Sequence, residues 1–326
     1  MNWEEETPLT NELQKIDFSV ITPVYNGEKW ILETVKSVLE ICKDFNFEYI
    51  VINDGSTDNT MNLLSEFSQE IMVINQENQG EAESVNNGLR AARGRYALVV
   101  SADDPMRSSE LLSSSREIFE NDLSVVCVYP SWSVIDSNSQ VIRDVDVDDF
   151  SQLILIGRHK CIVGPGGIFR RETALEIGGR RPKLKFTSDY DFWLRLSQQG
   201  NFRRIPGYLA YWREHESSTS IALRGVAMAN ERINVIQEFL VENEHLPNRL
   251  KRMAISSANY QAALLVYFDP DIPSKKFLFR AIYCYPINVF SFDWKIMLYI
   301  ILTPISATLL KFLKQLGLFR KLPHRA

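Results

Sequence analysis

The sequence predicts an α/β fold, a mostly parallel central sheet followed by a helical C-terminal extension. Three observations predict it. Over the first 130 residues, short apolar runs alternate with amphipathic stretches. The short runs are apolar almost throughout, as strands covered on both faces are. Strand–helix alternation then requires parallel strands joined by right-handed crossovers.

In chain order, Phe18–Thr22 reads as the first strand, and Glu28–Glu40 as a helix through Trp30, Ile31, Val35, Val38 and Leu39. Tyr49–Ile52 is the second strand, followed by a turn at Asn53-Asp54-Gly55-Ser56 and a helix over Asn59–Phe67. Ile71–Ile74 and Tyr96–Val100 are the third and fourth strands, with a helix over Glu81–Ala92 between them. Ser108–Glu120 returns as helix and Ser124–Tyr129 as a fifth strand. Residues 131–216 carry glycine-rich turns, including Gly164-Pro165-Gly166-Gly167, and a short amphipathic helix over Asp191–Gln198. From Ile221 onward the pattern is helical, broken by Pro247, Pro270, Pro273, Pro286 and Pro304.

With 326 residues, 45% hydrophobic and 24% charged, the chain has ample material for a core. Its four cysteines lack CxxC spacing, which argues against a disulfide framework or structural zinc and for a reducing, cytoplasmic setting. The polar, acidic N-terminus resembles neither a secretory signal nor a transit peptide. Charge is uneven. Residues 271–326 hold nine Lys/Arg against two acids, a local +7 that leaves −12 of the net −5 on the rest. Within that tail, Ile296–Leu310 is a 15-residue uncharged run interrupted by Pro304. That is short of the roughly 20 residues a spanning helix needs. With Trp294, Tyr299, Phe312, Phe319 and the flanking lysines it fits an interfacial helix on an anionic leaflet. A buried helical hairpin and true insertion stay open. Nucleic acid is not an expected partner, because the basic tail has no recognisable motif.

In parallel sheets, ligands bind beyond the carboxyl ends of the strands. The polar residues there are Thr22-Pro23-Val24-Tyr25-Asn26, Asn53-Asp54-Gly55-Ser56, Gln76-Glu77-Asn78-Gln79-Gly80 and Ser101-Ala102-Asp103-Asp104. No GxGxxG or GxxxxGK[ST] loop follows the first strand, which argues against a dinucleotide or P-loop enzyme. Carboxylates after strands two and four instead suggest recognition of base and ribose, with a metal bridging phosphates.

Six segments, taken together, resemble the family 2 glycosyltransferases, whose catalytic domain has the GT-A fold. They are ITPVYNGEKWILETVKSVL (Ile21–Leu39), VINDGSTDNT (Val51–Thr60), NQGEAESVNNGLRAARGRYALVVSADD (Asn78–Asp104), GPGGIFRRE (Gly164–Glu172), TSDYDFWLRL (Thr187–Leu196) and YWREHESSTS (Tyr211–Ser220). The resemblance divides the chain into a polar extension (1–15), a GT-A catalytic domain (16–220) and a helical region (221–326), basic from 271. It implies an inverting, metal-dependent transfer from a UDP- or dTDP-sugar to an acceptor hydroxyl, in polysaccharide or glycoconjugate synthesis. The implied cofactor is Mn2+ or Mg2+. The implied partners are a nucleotide-sugar donor, a carbohydrate or lipid-linked acceptor and an anionic membrane surface. The implied location is cytoplasmic and peripheral on the inner face of the membrane.

By position in the motifs, Asp103 corresponds to the metal-binding acid after strand four, and a hard cation prefers such oxygens. The plainer alternative is that Asp103 and Asp104 cap the next helix. Ser101 stands where a further aspartate is common, leaving it a ribose contact, with Ala102 beside it. Asp54 corresponds to the acid that accepts the imide N–H of the base, and otherwise reads as a turn former before Gly55. Thr22, Pro23 and Tyr25 are expected to line the base crevice, while Val85 replaces a common arginine. Asp189 is the implied general base; capping its helix is compatible with that role. His215 falls in the segment that closes over the diphosphate, as a second metal or phosphate contact, with Arg213 supplying positive charge. Gly166, Gly167, Asp191 and Trp193 fall near the acceptor or donor sugar; turn glycines, an Asp191–Arg195 pair and a core tryptophan are the alternatives.

Two other function classes stay open. A nucleotidyltransferase that makes nucleotide sugars can share the sheet and the acidic metal site, although TPVYNGEKW is a poor match to its glycine-rich basic loop. A non-catalytic scaffold on the membrane would tolerate Ser101 and Val85.

Overall fold

The computed structural model describes residues 16–215, 225–266 and 274–286. The expectations for residues 1–15 and for the run Ile296–Leu310 lie outside the described residues.

The first unit is built on one eight-stranded sheet. Its strands are β1 (Phe18–Val24), β2 (Phe47–Asp54), β3 (Met72–Gln76), β4 (Tyr96–Val99), β5 (Val125–Ile135), β6 (Val141–Val145), β7 (Ile168–Arg170) and β8 (Asn201–Arg213). The order across the sheet is β3-β2-β1-β4-β7-β5-β6, with β8 paired to β5. The β1–β2, β2–β3, β1–β4 and β5–β8 pairings are parallel. β7 pairs antiparallel with both β4 and β5, and β6 pairs antiparallel with β5. The sheet is therefore mostly parallel, as the apolar runs require. β5 reaches Ile135, six residues past its expected end, and all eleven of its residues are buried.

Helices α1 (Ile31–Cys42), α2 (Thr60–Ser65), α3 (Glu81–Ala91) and α4 (Glu110–Asn121) alternate with the early strands, and α5 (Arg171–Glu176) and α6 (Ser188–Leu196) follow β7. α1 buries Ile31, Thr34, Val35, Val38 and Cys42, the i, i+3, i+4 stripe of an amphipathic helix. Those side chains pack into a core with Phe18, Val20, Tyr49, Val51, Tyr96 and Leu98 from β1, β2 and β4. Burying each such side chain contributes about 1.5–3 kcal/mol, enough to hold short strands with little hairpin support. Cys42 belongs to this core. None of the four cysteines forms a disulfide, and burial pushes the Cys42 thiol up to about 12.

Because β1, β2 and β4 run parallel, their carboxyl ends share one edge, and the loops there interlock. The Asn26 N–H donates to the Ser56 hydroxyl (2.9 Å), the Thr57 N–H to the Asn26 side-chain carbonyl (2.8 Å), and the Asn59 N–H to Glu28 (2.9 Å). The motifs NGE and GSTDN are thus two halves of one platform.

The second unit comprises residues 152–160 and the helices α7 (Val226–Glu242), α8 (Asn248–Leu265) and α9 (Ser274–Cys284). The expected boundary at 220/221 thereby gains an exception, since residues 152–160 belong with the helices. Ser257 donates to the Gly157 carbonyl (2.7 Å) and Gln261 to that of His159 (2.8 Å). α9 buries Leu278 and Ala281 against Tyr260 and Ala263 of α8, while Phe279 and Tyr283, one turn apart, are exposed at 64% and 87%. Lys276 and Arg280 are exposed on the same helix. No helix among the described residues is long and apolar enough to cross a membrane.

Candidate functional site

β4 ends at Val99, and the chain turns immediately, with the Asp104 N–H on the Ser101 carbonyl at 3.1 Å. This turn leaves the Asp103 side chain partly open at 31% and sends Asp104 inside. His215, two residues past the end of β8, sets Nε2 2.8 Å from Asp103 Oδ2. Its ring lies 4.3 Å from that of Trp30, the residue before α1. The end of β4, the end of β8 and the start of α1 therefore meet at one point.

Arg213 lies beneath this point. The alternation of β8 turns it inward and it is fully buried. Nε donates to the Asp103 carbonyl (2.7 Å), Nη1 to the Asp136 carbonyl (2.9 Å) and the Ser139 hydroxyl (3.0 Å), and Nη2 to Glu33 (2.7 Å). This corrects the expectation that Arg213 meets a diphosphate directly. Its donors are spent on the Asp103 and Asp136 carbonyls, Ser139 and Glu33.

Asp104 Oδ1 accepts the Arg213 N–H at 2.6 Å. Burial, and then the neighbouring Asp103 carboxylate, push its carboxyl well above the usual range, against the opposing pull of Arg213 and Ser101. Ser101 itself is exposed, and the Ala102 carbonyl accepts the Thr34 hydroxyl at 2.9 Å, tying this turn to α1.

Asp54 ends β2, across β1 from this turn, and is nearly buried. Oδ1 accepts from Gln76 Nε2 and the Gln79 N–H, both at 2.7 Å, and Oδ2 from the Gly80 N–H at 2.8 Å. Three of about four lone-pair sites are used to fold the loop after β3, leaving one on Oδ2. Glycine suits position 80, which has φ 88° at the start of α3.

The Asp103–His215 pair fits a divalent cation by its donor chemistry. Two ligands about 2.1 Å from one cation and at right angles stand about 3 Å apart, close to the observed 2.8 Å. Among the described residues, no group of three or more His, Cys, Asp or Glu is placed to hold a metal. A cation here would complete its shell with substrate oxygens and water, as Mg2+ commonly does.

Residues 19–173, which span β1 to the start of α5 and contain both strand-end carboxylates, match the profile of a family described as Glycosyl transferase family 2. The match covers just under half of the chain. An uncharacterised glycosyltransferase of Rickettsia prowazekii is 28% identical over 232 residues, 68% of this chain and 68% of that protein. Chondroitin synthase of Escherichia coli is 28% identical over 250 residues, 74% of this chain but 34% of that longer protein. Among solved structures, TarS of S. aureus (residues 1–349, in complex with UDP-GlcNAc) superposes with a TM-score of 0.64 at 18% identity. The superposition covers 82% of this chain and 80% of that one. At that identity the likeness speaks for the GT-A fold alone.

The remaining motif residues fall into two groups. Asp189 lies exposed in the first turn of α6, with Oδ1 accepting the Tyr190 N–H at 2.7 Å. Four residues on, the Trp193 ring lies 3.4 Å from where a Cβ on Gly167 would be. Gly167 immediately precedes β7, whose start pairs with the carboxyl end of β4, so topology brings α6 toward the strand-end edge. Tyr25 is half exposed and Pro23 half buried at the end of β1.

Several other expectations are corrected. Thr22 is fully buried and its hydroxyl pairs with the Tyr49 hydroxyl at 3.0 Å, so it belongs to the core and does not face a base. Asp191 is buried in a fork with Arg195 (2.7 and 2.9 Å), with Arg181 at 3.4 Å, and Trp193 is core, edge-on to Phe169 and Phe192. A Cβ on Gly166 would meet Ala210 at 2.9 Å, and one on Gly167 would meet Val163 at 2.5 Å. Protein atoms therefore occupy the direction a side chain would take at both glycines, which accounts for glycine there without a sugar. Sequence reasoning also missed Trp30, Glu33, Gln76 and Gln79 as supports of the site. Its spacing places Trp30 in the helical apolar stripe, whereas it precedes α1.

Proposed function

We propose that this chain is a family 2 glycosyltransferase that catalyses an inverting transfer of a sugar from a UDP- or dTDP-sugar to an acceptor hydroxyl, in the assembly of a surface polysaccharide or glycoconjugate. The observation that carries the reading is the 2.8 Å pairing of Asp103 with His215 at the carboxyl end of β4. The UDP-GlcNAc complex of TarS and the name of the chondroitin synthase relative support the donor and acceptor classes.

Asp103 and His215 would hold Mn2+ or Mg2+. When bound, the cation supplies Lewis-acid charge that stabilises the departing diphosphate. Asp54 keeps one Oδ2 acceptor position for an imide N–H of the base, and Tyr25 offers a half-exposed ring nearby. Asp189 takes the acceptor proton as the alcohol attacks from the side opposite the leaving group, a single displacement with no covalent enzyme intermediate. Buried Arg213 keeps the Asp103 backbone in place. In the second unit, Phe279 and Tyr283 among Lys276 and Arg280 are suited to an anionic membrane surface, where a lipid-linked acceptor would be presented.

Replacement of Asp189 with Asn tests the base. Transfer and slow hydrolysis of the nucleotide sugar should fall about 100- to 10,000-fold, with UDP affinity retained. Activity within a few-fold of wild type would remove Asp189 from the mechanism.

A further inference from the structure

Arg107 stands apart from the other inward arginines of the first unit. Arg95, Arg180, Arg195 and Arg213 each pair with a carboxylate, and Arg170 spends its donors on three backbone carbonyls. Arg107 is half buried. Among the described residues its one hydrogen bond goes to the Ser133 hydroxyl, and its Cζ lies 4.8 Å from the centre of the Tyr211 ring. Among the described residues no carboxylate reaches it directly. Asp144 is linked only through the same Ser133 hydroxyl.

The surroundings form a built surface. Asp144, Ser133 and Tyr211 make one cross-strand rung over β6, β5 and β8. The next same-face rung contains Ile135 and Arg213, about 7 Å along the strand, and Arg213 donates to the Asp103 carbonyl. Arg107 also follows Asp103 by four residues. Its guanidinium is therefore fixed beside the Asp103–His215 point. A guanidinium seated on an aromatic ring directs its remaining N–H donors outward in a planar fork, the geometry that binds carboxylate or phosphate bidentately. Removing such a cation partly from water without a direct countercharge is costly, and an anionic substrate group would offset that cost.

We infer that Arg107, backed by Tyr211 and Ser133, is an anion-reading subsite beside the catalytic centre, for a substrate that carries a carboxylate or phosphate besides its diphosphate. The inference rests on the nucleotide-sugar reading above and narrows its substrate class. The anion can sit on the donor sugar or on the acceptor.

Calorimetric titration of the full chain with Mn2+ tests this in two arms. The donor arm compares UDP-glucuronate with UDP-glucose. The acceptor arm, with UDP present, compares glucuronate with glucose and glycerol 3-phosphate with glycerol. In one arm the anionic probe should bind at least about tenfold more tightly than its neutral counterpart, the scale of a charge-assisted hydrogen bond. That ratio should fall toward one in Arg107→Gln and be partly kept in Arg107→Lys. A wild-type ratio near one in both arms, or equal weakening of both probes in Arg107→Gln, would overturn the subsite. Failure of UDP itself to bind the wild-type chain would instead overturn the nucleotide-sugar reading beneath it.

Discussion

Arg213 Nη2 lies 2.7 Å from Glu33 Oε2, and the pair is lopsided: the arginine side chain is fully buried, while 41% of the glutamate remains open to solvent. The arginine is therefore a clamp that ties α1, the β5–β6 turn and the backbone of Asp103 together, with one countercharge reaching in from the surface.

Replacing Arg213 with Met should destabilise the chain by about 2–4 kcal/mol, because the Asp103 and Asp136 carbonyls lose their donors and packing is lost. Glu33→Gln should cost less, since Gln retains an acceptor oxygen. Urea unfolding measures both. A loss under about 1 kcal/mol for Arg213→Met, within the range of ordinary surface changes, would contradict the clamp.

Asp103 and His215 should act as one unit toward metal. In wild type, Mn2+ should strengthen UDP binding. Asp103→Asn should remove most of that gain, at least about tenfold, and His215→Ala part of it, with the double variant less than additive. UDP titrations with and without Mn2+ give the comparison. An undiminished Mn2+ effect in Asp103→Asn would show that the ion binds elsewhere.

Asp104 predicts a pH dependence of stability in chelator-containing buffer. Its folded carboxyl binds a proton more tightly than the ordinary value of 3.8, chiefly through burial and then through Asp103. The folded chain thus holds more protons than the unfolded one between 3.8 and the raised value. The stability Asp104 contributes is fully present below that window and is lost as pH rises through it. Asp104→Asn keeps an oxygen for the Arg213 N–H and cannot ionise. Its stability relative to wild type should therefore improve as pH climbs from about 4 toward neutrality. Parallel stability–pH curves for the two proteins would refute the assignment.

The exposed face of α9 should bind anionic vesicles. Cosedimentation with phosphatidylserine-containing liposomes should fall in the Phe279→Ser/Tyr283→Ser double variant, and should weaken with added salt because Lys276 and Arg280 contribute charge. Equal recovery in the supernatant with neutral and anionic vesicles would exclude this surface.

Much of the catalytic half was legible because its signals are local. The apolar runs at Phe18, Tyr49 and Tyr96 each carry their own strand, and in a parallel sheet the polar residues after them must gather on one edge. Asp54 and Asp103 stand among the acids so placed, and the motif resemblance picked them out from Glu77 and Asp104. Their supports could not be found that way. Nothing near Asp54 in sequence says that Gln76, Gln79 and Gly80 fill three of its acceptor positions, because β3 must first pair with β2 to bring them there.

The amino-acid order by itself determined the alternation of strand and helix, the shared edge and the acids placed along it, since each follows from periodicity within a few residues. Only the tertiary structure decided which polar side chains face outward. Thr22 and Asp191 turned into the core, Arg213 became a buried clamp, and Gly166 and Gly167 make room for neighbouring protein atoms. For Thr22 and Arg213 the outcome depends on the register between strands far apart in the chain, where a shift of one residue reverses every side chain; for Asp191 and the glycines it depends on which distant segments pack against α6 and the turn before β7.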